Sequence, residues 1–258
     1  MSVMMAACPR PILGEFSARM GNCCYGMFNR HGGVSRGPYA SLNIGRGLGD
    51  SPEAVSENRR LVKDVLRIPH LLSAHQVHGP GVYCLTEPIA EDTSIDAVDA
   101  LITDLPDVGL MIQQADCQAV LLFDPIRQAI GAIHCGWRGS VQGILVETVE
   151  IMKENYGTRP ADLLAIVSPS LGPCCGEFVN FKEELPPEFH PFMVRDSHFD
   201  FWRISEHQLT AVGLAQSHIR IEGTCTACSP DYFSYRRAKR ESGGLTGRNC
   251  SVIALRSE

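Results

Sequence analysis

The centre of the chain is a series of short apolar runs separated by turn-forming residues. Three strand-sized runs, at 108–116, 119–124 and 129–134, are bounded by Asp, Pro, Arg or Gly. The sequence DPIRQ at 124–128 is typical of a tight turn, so the second and third runs are predicted to form a hairpin. The same pattern predicts two further buried strands, at 163–172 and 250–255.

Helical periodicity of apolar residues predicts three helices. Ser51 is placed to cap the first, and the apolar stripe of that helix leaves Arg59 pointing away from the core. The second is predicted to begin with Ser140 as its cap and to end at Gly157, and a third is expected near 205–214. Helices mixed with short strands predict an α+β fold, in which a single domain of mixed β-sheets is flanked by helices.

The stretch from 30 to 52 is rich in glycine and has only one short apolar group. It is predicted to be an extended loop that folds close against the domain, and such long loops are often functional. No repeat or long linker divides the remaining chain. We therefore predict an N-terminal segment, residues 1–24, followed by a single domain, residues 25–258.

Composition and charge narrow the classes of function. The chain has 258 residues, of which 44% are hydrophobic and 20% charged, as in ordinary globular proteins. A net charge of −6 argues against a nucleic-acid partner, and the one dense basic group, residues 234–240, is predicted to be a solvated loop. No apolar run approaches the ~18 residues of a membrane span, and the N-terminus lacks the features of a secretory signal. We therefore expect a cytoplasmic protein without membrane or nucleic-acid partners.

Cysteine is abundant for a chain of this kind. Eleven cysteines, an odd number without a preceding secretory signal, argue against a disulfide framework. The C-x-x-C pair Cys225 and Cys228 is a zinc half-site that Cys174 and Cys175 would complete. Adjacent cysteines direct their side chains apart on an extended chain, which disfavours binding of one ion by both. We therefore predict buried, reduced thiols here and keep a structural zinc site as the alternative.

Three segments place metal-ligating side chains where a strand or turn ends: His78 in HQVHG, Cys117 in ADC and His134 in IHC. The predicted hairpin would bring Cys117 and His134 to one end, whereas His78 must come from a separate loop. Two imidazoles and a thiolate suit Zn²⁺, and three protein ligands leave a fourth position for water or substrate. The spacing matches no compact metal motif, so the alternative is that these are core side chains satisfied by backbone groups.

The sequence GWRGS, directly after the predicted hairpin, indicates an anion site. Arg138 and the free N–H groups of a helix beginning near Ser140 would face an anion next to His134. The alternative is a glycine-rich turn that carries an exposed arginine. Taken with the three ligand candidates, the pattern predicts a metal ion beside a phosphate pocket.

The ordered combination of these motifs resembles one protein family. The chain resembles the YfiH-like family, whose members have been labelled multicopper polyphenol oxidases or laccase-domain proteins. The resemblance is carried by RHGGVSRGPYASLNIG, DSPEAVSENRR, QVHG, ADCQAVLLFDP, AIHCGWRGS, GPCCGEF, CTAC and YFSYRRAKRESGGLTGR. It implies mixed sheets flanked by helices, a catalytic domain at 25–258, and the activity of a zinc-dependent purine nucleoside phosphorylase that also deaminates adenosine. It also implies His78, Cys117 and His134 as the metal ligands.

These implications give a hypothesis for the remaining site residues. A purine nucleoside and phosphate would be the partners, bound by a monomer or a homodimer. Arg46, Arg59 and Arg138 are the candidates for phosphate, because a guanidinium matches its oxygens in a planar fork. Asn43 is the candidate for a ribose hydroxyl or the purine, and forms the predicted catalytic group together with Arg59 and Arg138. Zinc deaminases use the Glu of an H-x-E motif, which neither metal-ligating histidine supplies, so the general acid and base stay unassigned.

Three other classes of function remain open at this point. Two histidines and a cysteine also form a blue-copper ligand set, so Cu²⁺ and polyphenol oxidation are the alternative metal and activity. A laccase, however, needs several further copper ions, whereas this chain has nine histidines and no H-x-H pair. Cys117 with His134 as its base would instead form a cysteine hydrolase. A binding protein without turnover is the third alternative.

Overall fold

The computed structural model describes residues 8, 9, 11, 12 and 22–257. Most of the predicted N-terminal segment, 1–24, lies outside the described residues. The proposed division between residues 24 and 25 falls inside the first strand and stays a prediction.

The strands, in chain order, are β1 (Cys23–Phe28), β2 (His70–His75), β3 (Val82–Leu85), β4 (Thr93–Asp96), β5 (Ala100–Thr103), β6 (Val108–Gln114), β7 (Gln118–Asp124), β8 (Ala129–Cys135), β9 (Leu164–Val167), β10 (Met193–Arg195), β11 (His198–Phe199), β12 (Ile219–Ile221) and β13 (Asn249–Leu255). The α-helices are α1 (Pro52–Leu66), α2 (Trp137–Val141), α3 (Ile144–Tyr156), α4 (Phe181–Glu184), α5 (Phe201–Ala211) and α6 (Tyr235–Glu241).

Two mixed sheets pack face to face to form the core. One has the strand order β1-β13-β6-β2-β4 and the other β12-β9-β7-β8-β5-β3, and both contain parallel and antiparallel pairs. Side chains of both sheets meet in one buried cluster, in which Leu110 and Ile253 come from the first sheet and Leu121 and Phe123 from the second. Helix α1 covers the outer face of the first sheet, and α3 covers that of the second. The predicted α+β architecture of mixed sheets flanked by helices is confirmed.

The predicted hairpin of β7 and β8 is present, and it lies at the centre of the second sheet. Its strands pair antiparallel, with Ala119 opposite His134. Alternate side chains of β7 divide between two apolar layers, with Leu121 facing the inner cluster and Val120 and Leu122 facing α3. Both faces of the strand are therefore buried, which explains why its sequence is a continuous apolar run.

Helix α1 begins as predicted, but the face that carries Arg59 is buried and not exposed. The Ser51 hydroxyl accepts a hydrogen bond from the N–H of Ala54 at 3.3 Å. Arg59, predicted to point away from the core, is only 4% exposed, and its Nε donates to the carbonyl oxygen of Ile44 at 3.0 Å. The glycine-rich loop 30–52 folds over this face of the helix. Buried Asn58 binds the same loop, donating to the carbonyl oxygen of Asn43 at 2.7 Å.

The helix after β8 is divided, so the prediction that Ser140 caps it is wrong. Helix α2 begins directly after Gly136, and Gly143, in the left-handed region with φ 77°, separates it from α3. Ser140 is buried within α2, where its hydroxyl donates to Oε1 of Gln208 at 3.1 Å. The C-terminal end of α3 at Gly157 is as predicted.

Two other segments differ from their predicted form. Helix α5 begins at residue 201, earlier than expected, because the Asp200 carboxylate caps it by accepting from the N–H of Arg203 at 3.1 Å. The basic group 234–240, predicted to be a loop, forms most of α6. Ser234 caps that helix by accepting from the N–H of Arg237 at 3.1 Å. Within the described part of the chain, none of the helices has both the length and the apolar character needed to span a bilayer.

Candidate metal centre between two cavities

The three predicted metal ligands converge at one end of the β7–β8 hairpin. One ligand atom each from His78, Cys117 and His134 lie within 4.8 Å of one another. The Cys117 Sγ is 3.9 Å from Nε2 of His78, and the two imidazole rings meet edge to face with centroids 4.8 Å apart. His134 is buried, Cys117 is half-buried and His78 is exposed, so the cluster is open on one side. This is the arrangement that a three-ligand metal site with a free position requires.

The elements that carry the cluster explain how distant residues meet. Cys117 directly precedes β7, and His134 lies near the end of β8, so the hairpin itself brings these two together. His78 lies on the loop that connects β2 of the first sheet to β3 of the second, and it has φ 62°. Three adjacent backbone N–H groups of this loop point at a single buried carboxylate.

That carboxylate belongs to Asp99, which the sequence did not reveal as part of the site. Its Oδ1 accepts from the N–H of His78 at 2.9 Å, and its Oδ2 accepts from those of Val77 and Gly79 at 3.0 and 2.9 Å. The same Oδ1 lies 2.7 Å from Nδ1 of His134, and the Asp99 carbonyl oxygen accepts from the His134 N–H. Asp99 is fully buried, and it therefore holds the backbone of His78 and the ring of His134, both candidate metal ligands, at once.

The hydrogen bond to Asp99 also selects the free nitrogen of His134. With Nδ1 bound to the carboxylate, Nε2 is the ring atom left to bind an ion. A carboxylate bound to the second nitrogen of a ligating histidine is the usual support of such a site, because it fixes the ring and makes the other nitrogen more basic.

Electrostatics favour a thiolate at this position. Burial by itself raises the pKa of the Cys117 thiol, but the charge and hydrogen bond of His134, aided by His78, outweigh it and lower that pKa to about 6. Burial would lower the pKa of His134, yet the Cys117 thiolate and Asp99 raise it to about 9. The mutual effect of the two groups therefore favours the thiolate form of Cys117, which is the form that binds metals.

Space around the cluster is kept open by a glycine. A Cβ at Gly136 would lie 2.9 Å from Cδ2 of His78 and 3.2 Å from Sγ of Cys117. Any larger residue here would push two of the three ligand side chains. The donor set, its mutual distances and this close fit are all suited to one divalent ion.

Two cavities meet at the cluster. The first has a volume of about 830 Å³ and the second about 720 Å³. Both are lined by His78, Ala115, Cys117 and Tyr235. A small molecule that spans both cavities would therefore pass over the candidate metal site.

The first cavity is basic. Arg46, Arg59 and Arg248 line it. Among the residues that the structure describes, no carboxylate forms an ion pair within 4.0 Å of any of these three guanidinium groups. Burial and the nearby charge of Arg46 lower the pKa of Arg59 to about 10. A partly desolvated group of like charges without a direct ion-pair partner is a site that an anion would stabilise.

The second cavity is aromatic on one side. Trp137, Phe178 and Phe201 line it, and the Trp137 and Phe178 rings meet edge to face with centroids 6.0 Å apart. Arg138 belongs to this cavity, where its guanidinium carbon lies 5.1 Å from the centre of the Trp137 ring. The structure thus separates Arg138 from Arg46 and Arg59, although the sequence grouped all three.

Asn43 lies apart from both cavities. It is fully buried, and its Oδ1 accepts from the backbone N–H groups of Gly45 at 3.0 Å and Arg248 at 2.8 Å. Its Nδ2 donates to Oδ2 of Asp50 at 2.9 Å and to the Gly45 carbonyl oxygen at 3.3 Å. Every hydrogen-bonding position of the amide is therefore occupied within the protein. Asn43 holds the loop that presents Arg46, and it has none left for a ribose hydroxyl.

Comparison with known proteins identifies the family. A family model described as "Multi-copper polyphenol oxidoreductase laccase" matches residues 24–256. The chain belongs to this family. It is 33% identical over 90% of each chain to "Purine nucleoside phosphorylase YlmD" of Geobacillus stearothermophilus, and 35% identical to "Purine nucleoside phosphorylase" of Deinococcus radiodurans, over 88% of this chain and 87% of that one.

Solved structures of similar proteins have the same fold. YlmD from Geobacillus stearothermophilus superposes with a TM-score of 0.82 at 31% identity, covering 92% of this chain and 93% of that one. The Bacillus licheniformis protein YfiH superposes with a TM-score of 0.85 at 27% identity, covering 96% and 97%. The resemblance to the YfiH-like family is thereby confirmed over nearly the whole chain.

The family description mentions several copper ions, but the candidate metal-binding groups of this chain do not resemble sites for several copper ions. Within residues 22–257 and the few described residues before them, two groups of side chains are close enough to hold an ion: the His78–Cys117–His134 cluster and a group of four cysteines. The first has two histidines and the second has none. Neither resembles the histidine-rich ligand set that several copper ions would need.

The central role of Asp99 predicts the effect of one isosteric change. In Asp99→Asn, an amide NH₂ group replaces one of the two carboxylate oxygens. This group faces either the backbone N–H donors or Nδ1 of His134, so some of the hydrogen bonds that hold the two histidines are lost. We expect the affinity for Zn²⁺, measured by competition with a chromophoric chelator, to fall by about 10- to 100-fold. Asp96→Asn, which changes an exposed carboxylate on the wall of the first cavity, is the matched control and should leave the affinity within about twofold. Unchanged zinc affinity in Asp99→Asn would contradict the role assigned to this carboxylate.

Proposed function

We propose that the protein is a zinc-dependent purine nucleoside phosphorylase, with adenosine, inosine or guanosine and phosphate as substrates. The observation that carries the proposal is the unpaired arginine group of the first cavity, which opens directly onto the His78–Cys117–His134 cluster. The names of several relatives of similar length support it.

Phosphate is assigned to the first cavity. Arg46, Arg59 and Arg248 present guanidinium groups to one space without carboxylate partners, and a phosphate dianion would relieve their mutual repulsion. The side chain of Arg59 is fixed by its bond to Ile44, so the phosphate site is preorganised on one side. Arg138, on the other side of the cluster, is not part of this phosphate site.

The purine is assigned to the second cavity. Trp137 and Phe178 offer flat apolar surfaces on which a base can stack, and Arg138 lies against the indole ring. With phosphate in one cavity and the base in the other, the ribose lies at the junction beside Cys117 and Tyr235. This arrangement brings the anomeric carbon between the nucleophile and the leaving base.

The reaction then needs no covalent bond to the protein. A phosphate oxygen forms a bond to C1′ of the ribose as the bond from C1′ to N9 of the purine breaks. The base leaves with the bonding electron pair and takes up one proton, and the products are the free purine and ribose 1-phosphate. The arginines hold the nucleophile in place, so that phosphate is better positioned than water to attack C1′.

A divalent ion fits the cluster and would add Lewis-acid charge at the junction of the cavities. Asp99 holds the ring of His134, the neighbouring imidazoles lower the pKa of the Cys117 thiol, and His78 offers its Nε2. The proposed native ion is Zn²⁺, since two imidazoles and one thiolate suit a borderline-soft cation.

Adenosine deamination is proposed as a side activity of the same site. Water would replace the 6-amino group of adenosine, giving inosine and ammonia. The open side of the cluster, where His78 is exposed, leaves room for the base in this second orientation. Phosphate takes no part in this reaction, which separates it from phosphorolysis.

The two alternative activities are less well supported by the geometry. A cysteine hydrolase would use the Cys117 thiolate as its nucleophile, but a metal-bound sulfur is not free to attack. Copper-dependent polyphenol oxidation would require copper at the same three ligands, and the described residues offer no further copper-type cluster.

The proposal is tested by incubating the zinc-loaded protein with adenosine, inosine or guanosine, with and without phosphate, and separating the products by chromatography. We expect free base and ribose 1-phosphate only when phosphate is present, and inosine from adenosine in either case. His134→Ala should lose both activities, whereas His31→Ala, an exposed histidine that lines neither cavity, should keep them. Release of base at equal rates without phosphate, or no turnover of any nucleoside, would rule out the phosphorylase.

The phosphate assignment predicts a selective effect at Arg46. This side chain is exposed at the cavity wall, so Arg46→Gln removes charge without disturbing the core. We expect KM for phosphate to rise by about 10- to 100-fold, because a hydrogen bond to a charged group contributes ~1.5–3 kcal/mol, with KM for the nucleoside changed by less than about threefold. Arg36→Gln, an exposed arginine of the same loop outside the cavity, is the control. Equal rises in both KM values would place phosphate elsewhere.

A further inference from the structure

Four cysteines converge at a second place, remote in sequence from the candidate catalytic cluster. One Sγ atom each from Cys174, Cys175, Cys225 and Cys228 lie within 4.8 Å of one another. None of the four is buried: Cys174 and Cys228 are exposed and the other two are half-buried. The prediction of separate buried thiols at these positions is therefore wrong.

The spacing of the sulfurs matches a tetrahedral metal site. Zn–S bonds of ~2.3 Å place the sulfurs of a tetrahedral tetrathiolate about 3.8 Å apart. The Cys228 Sγ lies 3.5 Å from Sγ of Cys174 and 3.5 Å from Sγ of Cys175, and all four sulfurs fall within 4.8 Å. Cys228 is equally close to two different partners, which suits one shared ion better than a disulfide to either.

Local turns explain why adjacent cysteines face the same point. Adjacent side chains point apart only where the backbone is extended. Here the N–H of Cys175 donates to the carbonyl oxygen of Gly172 at 2.9 Å, which folds this segment into a turn. The C-x-x-C segment is also a turn, closed by a bond from the N–H of Ser229 to the carbonyl oxygen of Cys225 at 3.0 Å. Each turn therefore presents two sulfurs to the other.

The two turns are held in register by bonds that do not involve the thiols. The backbone of Ser170 bonds that of Thr224 at 3.1 Å and that of Thr226 at 3.0 Å. The Arg237 guanidinium donates to the carbonyl oxygens of Thr226 and Ser229 at 2.8 Å each. The four-thiol arrangement is thus built by its surroundings, which lowers the cost of binding an ion.

We propose that Cys174, Cys175, Cys225 and Cys228 form a structural zinc site, separate from the catalytic ion. Each thiol releases its proton as it binds, so the occupied site is a tetrathiolate with no open position. The site joins two segments of the chain. One carries Phe178 and the other leads into Tyr235 and Arg236, and all three residues line the aromatic cavity. The ion would therefore fix the geometry of the proposed purine site without touching substrate.

The proposal is tested first by metal content. We expect Cys228→Ser, purified under reducing conditions, to contain one equivalent of zinc less than the unaltered protein, whatever the occupancy of the catalytic cluster. Cys8→Ser, which removes an exposed thiol outside the group, is the matched control and should contain the full amount. Equal zinc in Cys228→Ser and the unaltered protein would overturn the proposal.

A second experiment does not depend on folding of the Cys228 variant. In His78→Ala/Cys117→Ala, which lacks two ligands of the catalytic cluster, Co²⁺ should bind with one equivalent and show the intense sulfur-to-cobalt charge-transfer absorption of a tetrathiolate. This result is independent of nucleoside turnover, so it can fail while the proposed function stands. No cobalt binding by the double variant, or an intact mass lower by two hydrogens per disulfide in the protein as purified, would contradict a zinc site here.

Discussion

The buried carboxylate of Asp99 is the interaction on which the site depends. It accepts hydrogen bonds from three successive N–H groups of the loop at residues 77–79 and from the ring of His134. The loop connects β2 of the first sheet to β3 of the second, and His134 lies on β8, so a single fully buried side chain holds the loop to the end of the β7–β8 hairpin where the candidate ligands meet. A carboxylate without partners at this depth would be strongly unfavourable, and these four donors stabilise its charged form.

From this arrangement the rest of the site follows in steps. With both histidines fixed, the β7–β8 hairpin delivers Cys117 to the same point, and Gly136 leaves room for an ion. Loop 30–52 folds onto α1 and brings Arg46 and Arg59 to one side, while the aromatic residues after β8 and β9 form the other side. The protein therefore places an arginine-lined cavity and an aromatic cavity next to one candidate metal centre.

The parts of the fold and the site that could be predicted are those that depend on residues close together in the sequence. The hairpin, and with it the meeting of Cys117 and His134, follows from two apolar runs and a turn. Asp99 has partners 20 to 35 residues away in the chain, and no local motif marks it beyond its place before the apolar strand β5. Arg248 likewise joins the first cavity from the far end of the chain. Contacts of this kind depend on tertiary structure, which periodicity does not encode.

The errors have related causes. Arg59 was expected at the surface because the helix pattern was interpreted without the loop that covers it. The adjacent cysteines Cys174 and Cys175 were treated as extended chain, whereas they lie in a turn. Asn43 suited a ligand by type, but its amide is fully used in holding the loop. In each case the residue type allowed several roles and the neighbouring segment decided between them.

The most direct test of the account is a crystal structure of the zinc-loaded protein with anomalous diffraction measured at the zinc absorption edge. We predict an anomalous peak at ~2.0–2.3 Å from Nε2 of His78, Sγ of Cys117 and Nε2 of His134, with Nδ1 of His134 still bound to Asp99. A structure without a peak between these three side chains, or with His134 turned so that Nδ1 faces the ion, would contradict it.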